Sequence, residues 1–143
     1  MTTRSCPARR AIDAVPDAVF AAGVAAVVSG APSTTYSLLT RQPLLAPTRA
    51  AGTLLGRPSI IRGLLAHAAL SLGWGVLLAR VLPRGRRART GLVAGAAIAA
   101  LDLGVIGRRV PAVRALPQLP QWADHLAFGL TVGVVMDHRA MRH

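Results

Sequence analysis

The sequence predicts an all-α fold: an integral membrane four-helix bundle with short interfacial helices in the two outer connections. Three observations predict it. The chain of 143 residues is 52% hydrophobic but only 3% aromatic, whereas a soluble core of this size would use more Phe, Tyr and Trp for buried area. The apolar residues, chiefly Ala, Leu, Val and Gly, come in four long runs separated by breaks rich in proline and arginine. Those runs approach the roughly 20 residues that cross a hydrocarbon core, and small residues let helices approach closely in lipid. The length suits one domain. A basic tail over residues 1–11 is expected to be disordered, followed by one transmembrane domain over residues 12–141, with spans near 12–30, 59–82, 90–107 and 121–138.

The net charge is +12, all 17 basic residues are Arg and all five acidic residues are Asp. The arginines lie between apolar runs and form no single basic face or known binding motif, so nucleic acid is not an expected partner. Anionic lipid headgroups account for them better. The single cysteine, Cys6, precludes an internal disulfide and reads as a free thiol in the tail.

The first apolar run is Ile12 to Gly30. Asp13 can cap it, Pro16 falls in its first turn, and Asp17 reads as a first-turn acid favoured by the helix dipole. A cleaved signal peptide is the rival reading, because arginines precede the run and Ser29-Gly30-Ala31 follows it. Two aspartates in or beside the run, and the multi-span pattern after it, count against that. Ala31 to Arg57 is broken by Pro32, Pro43 and Pro47. Ser33-Thr34-Thr35 can start a short helix, and Pro47 to Leu55 reads as a short amphipathic surface helix or an irregular loop.

Pro58 suits a first helical position. Ser59 to Leu82 then spans ~36 Å at the α-helical rise, enough for the ~30 Å hydrocarbon core. Arginines 80, 84, 86, 87 and 89 crowd the following turn. Thr90 caps the third span. There Gly91, Gly95, Ile98 and Asp102 fall within about 40 degrees on the helical wheel, so Asp102 shares a glycine face that should pack on other helices. Arg108 to Leu119 is a surface connection with a helical turn near Ala112 to Leu116. Pro120 opens the last span, Trp122 sits at interfacial depth, and the helix ends near Arg139.

With the N-terminus inside, ten arginines lie in inside segments and seven in outside ones. Their density in the short turn between the second and third spans sets the orientation, with N- and C-termini both cytoplasmic. Counted from mid-span, His67 and Asp102 then lie ~5 Å outward, and Asp124 and His125 ~10 Å outward. Asp17 falls on the inner side. Ionisable groups in hydrocarbon face one another, water or a counter-ion. His67, Asp102, Asp124 and His125 are therefore expected to form one polar cluster, with Arg109 reaching back to Asp102 and Gly91, Gly95, Gly129 and Gly133 lining the helix contacts. The glycine faces can equally join two copies of the chain.

The bland role for such a cluster is structural, with Asp–His and Asp–Arg hydrogen bonds locking helices. A small proton- or ion-linked carrier is the alternative, since buried acids and histidines serve relays. A membrane enzyme acting on lipid is a third reading: Ser71 lies one turn from His67, a common spacing that assigns no catalytic residue. Two His and two Asp are chemically able to hold a metal, but no compact ligand motif supports it. No metal and no cofactor are expected.

The stretch H-L-A-F-G-L-T-V-G, from His125 to Gly133, resembles the closing helix of small bacterial multi-pass inner-membrane proteins, among them the YagU-like group. The resemblance covers about the final fifth of the chain. It implies a bacterial inner-membrane protein and assigns no catalytic residues.

Overall fold

The computed structural model describes residues 7–142, with side chains from Val15 onward; the tail with Cys6 lies outside the described residues. Among the described residues there is no strand. Seven α-helices follow in order: α1 (Pro7–Val28), α2 (Ala31–Thr40), α3 (Ala46–Ala51), α4 (Ile60–Val81), α5 (Arg87–Leu101), α6 (Pro111–Arg114) and α7 (Gln118–Ala140). Short turns of other pitch join them: 3₁₀ at Gly52–Leu55, π at Asp102–Ile106 and 3₁₀ at Gly107–Arg109.

Three helical stretches are long and apolar enough to cross a membrane: Val15–Thr40, Ile60–Val81 and Arg87–Arg109. The fourth expected span, α7, is long enough at 23 residues but less apolar. Gln118, Gln121, Asp124, His125, Asp137 and His138 lower its hydropathy.

Several boundaries differ from the sequence reading for local reasons. α1 begins at Pro7, so Asp13 and Pro16 lie inside the helix and not at its start. α4 begins two residues after Pro58, capped by Ser59, whose side chain accepts the Arg62 N–H at 3.5 Å. α5 begins at Arg87; Thr90 is one turn in and donates back to the Arg86 carbonyl at 2.9 Å, a local bond that competes with capping. The connection after α1 is helical almost throughout. Helix breaks at Ser29-Gly30 and resumes at Ala31, because Pro32 has no N–H to continue the ladder.

One apolar core joins α1, α4, α5 and α7 through Ala21, Ala25, Leu78, Leu82, Ile98, Phe128, Val132 and Met136. Small residues do the closest packing. Ala18, Ala21, Ala22 and Ala25 form a buried stripe on α1, at the i, i+3, i+4, i+7 spacing of one helical face, and Gly75 of α4 meets Ala22. Between α5 and α7 the register is antiparallel: Arg87 meets Gly133, Gly91 meets Gly129, and Gly95 meets His125. A Cβ on any of the four glycines would press on the backbone of the facing helix. Large side chains point the other way. Val19, Phe20, Leu65, Leu72, Val93 and Val134 are exposed on the outer surface.

Candidate functional site

Asp124 and His125 sit in the second turn of α7 and face different helices. The Asp124 carboxylate accepts the Ser33 N–H at 2.9 Å. Ser33 is the third residue of α2, where a backbone N–H has no partner inside the helix. Gly30, at the cap position of α2, offers no side chain. Asp124 therefore caps α2 from another helix, and its negative charge suits that helix end.

His67 makes the complementary contact at the other side of the same break. Its Nε2 donates to the Ala26 carbonyl at 3.0 Å. Ala26 lies in the last turn of α1, where carbonyls lack backbone partners inside the helix; its carbonyl also accepts the Ser29 hydroxyl at 3.3 Å. The interruption at Ser29-Gly30 is thus closed by His67 from α4 on one side and Asp124 from α7 on the other.

His125 turns to α5. Its Nδ1 donates to the Gln121 carbonyl at 2.8 Å, and its Nε2 faces Asp102 Oδ2 at 3.5 Å. Both ring nitrogens face oxygen, and a neutral imidazole has only one N–H. The side chains of His125 and Asp102 are 23% and 18% exposed.

The four ionisable residues of the expected cluster line one cavity of about 570 Å³, together with Ser71, Trp74, Gln121 and Phe128. A second, apolar depression of about 400 Å³ near Pro43 and Leu116 includes none of them. Arg109 does not join the cluster. It is exposed, and Asp102 pairs with His125 instead. The wheel that aligned Arg109 with Asp102 assumed an unbroken α-helix, but π and 3₁₀ turns intervene and change the angle per residue. The four glycines lie at a helix contact, where they bring the backbones of α5 and α7 together within one chain. They are not free to join two copies.

Among the described residues, no group of three His, Cys, Asp or Glu is placed to hold a metal ion. Ser71 lies along the cavity, but the His67 Nε2 is engaged with Ala26, which gives no nucleophile–base pair.

Sequence reasoning missed one ion pair and one buried arginine–backbone hydrogen bond. Asp17 is not merely a first-turn acid; it pairs with Arg139 of α7, whose guanidinium also lies 4.7 Å from the Phe20 ring centroid. The signal was available, since the depth count puts both residues on the same side. Arg87, assigned to the turn, is 5% exposed and donates to the Met136 carbonyl at 2.9 Å. Nothing in its local sequence distinguishes it from the other turn arginines.

No family model, curated protein or solved structure matches the chain.

Proposed function

We propose that the chain is an integral membrane four-helix bundle of the bacterial inner membrane, with both termini cytoplasmic, and that it is a structural or accessory component whose Asp/His cluster holds its helices together. The observation that carries this reading is the closure of the α1–α2 break by His67 and Asp124. In hydrocarbon, interrupted backbone is tolerated only where other protein groups satisfy it. The exposed Leu, Val and Phe side chains around a core of Ala and Gly support the lipid setting. The arginines of the α4–α5 turn are suited to anionic headgroups.

The test is alanine substitution at His67, Asp102 and Asp124 in the reconstituted protein. Each is expected to lower unfolding stability by about 0.6–1.7 kcal/mol, the measured scale for hydrogen bonds between membrane helices, with no specific change in solute movement. The cavity beside the cluster favours a second reading, a small proton- or ion-linked carrier. Stable alanine variants with altered proton or solute flux would select that reading instead.

A further inference from the structure

The cavity has a charge character opposite to that of the chain around it. The chain carries 17 arginines, yet none among the described residues lines this cavity, while two of the five aspartates do. Asp102 is balanced by His125. Asp124 is not: its carboxylate accepts one backbone N–H from Ser33 and retains acceptor capacity, since a carboxylate has about four lone-pair sites. The nearby His67 is engaged as a donor to Ala26. One carboxylate thus faces the cavity with no arginine among its described lining residues.

The remaining wall is apolar. Two of the chain's five aromatic residues, Trp74 and Phe128, line the cavity, and Phe128 is one helical turn from Asp124. Leu54, Leu55, Leu64, Leu70 and Ile106 also line it and are 41–56% exposed, so the apolar wall continues onto the outer surface. The volume of about 570 Å³ lies within the roughly 300–1,000 Å³ of small-molecule sites, which combine apolar walls with few polar groups.

We propose that this cavity binds a lipophilic cation, an amphiphile with an amine or quaternary ammonium head. The head lies against Asp124 with Trp74 and Phe128 beside it, and the alkyl chain follows the leucines to the lipid. A half-buried carboxylate attracts a cation more strongly than one in bulk water, and aromatic faces add cation–π attraction. An anionic head would meet Asp124 with no arginine to offset it. The proposal rests on the membrane reading above.

The test uses the full chain in phosphatidylcholine vesicles, with Trp122→Phe leaving Trp74 as the reporter. Flotation with the vesicles is checked first, and Trp74 emission is then titrated with dodecyltrimethylammonium, dodecanol and laurate. A saturable response to the ammonium compound alone is expected. Asp124→Asn should weaken it by about tenfold, while the amide oxygen can still accept the Ser33 N–H and keep the helix tie. Ala69→Phe, which fills space in the cavity and keeps the carboxylate, should weaken it as well. Equal saturation by dodecanol or laurate, unchanged affinity in Asp124→Asn, or a floating protein with no saturable response would overturn the proposal alone. Failure to float would overturn the membrane reading and this proposal with it.

Discussion

Each ionisable residue of the cluster answers a specific local deficiency. Asp124 supplies an acceptor to an α2 N–H, and His67 supplies a donor to an α1 carbonyl that also accepts the Ser29 hydroxyl; both groups lack intrahelical backbone partners because a helix stops nearby. His125 and Asp102 answer each other. The Asp17–Arg139 contact is of a different kind, because the Arg139 side chain is 34% exposed. Water and salt reduce its contribution. A double-mutant cycle with Asp17→Asn and Arg139→Gln is expected to give a coupling of about 0.2–1 kcal/mol in unfolding measurements. A coupling indistinguishable from zero would mean that the pair orients α1 and α7 without stabilising them.

At the scale of elements, α5 and α7 approach through glycine because nothing larger fits. Gly91 faces the Gly129 carbonyl, and Gly133 faces the Arg87 carbonyl. Backbone cannot yield as a flexible side chain can. Gly91→Ala or Gly129→Ala should therefore separate the helices and cost about 1–3 kcal/mol or more. Gly73 is the control. It lies inside α4, and a Cβ there meets nothing within 4 Å. Gly73→Ala should leave stability unchanged or raise it by up to about 1 kcal/mol. Thermal unfolding of the three variants in one detergent compares them, and equal losses would show that helix propensity, not close approach, explains these glycines. Separation of α5 from α7 would also open the Asp102–His125 pair, which links packing to the proposed site.

At the scale of the molecule, two contacts set α1 and α2 against α7. Asp17 meets Arg139 at one end and Ser33 meets Asp124 at the other. The separations are 16 residues along α1–α2 and 15 along α7, or ~24 Å and ~23 Å at the helical rise. Antiparallel elements of matched length result, with the polar cluster at one end and the arginine-rich α4–α5 turn at the other. The proposed topology places these ends on opposite sides of a membrane. In a Cys6→Ser background, Arg84→Cys should react with an impermeant thiol reagent only from the cytoplasmic side, and Gln42→Cys only from the opposite side. Both positions are exposed. Labelling of both from one side would reject the four-span arrangement.

By itself the sequence determined the all-helical class and the identity of the polar residues that need partners; it read four spans, of which three fall in stretches long and apolar enough to cross a membrane. These follow from composition and periodicity, which are local properties. Depth counting put His67, Asp102, Asp124 and His125 at similar heights, because antiparallel helices convert residue number into height, and all four line one cavity. Only the tertiary structure decided what each side chain touches. Ser33 and Ala26 offer backbone groups, which carry no residue-type signal, and these became the partners of Asp124 and His67. Arg109 left the Asp102 face because the helix changes pitch after Leu101, a change not readable from the wheel. The four glycines were recognised as contact residues, but whether they face a second copy or one another depends on how the chain turns back. A helix face reveals that close approach is required; which backbone arrives there is settled by packing.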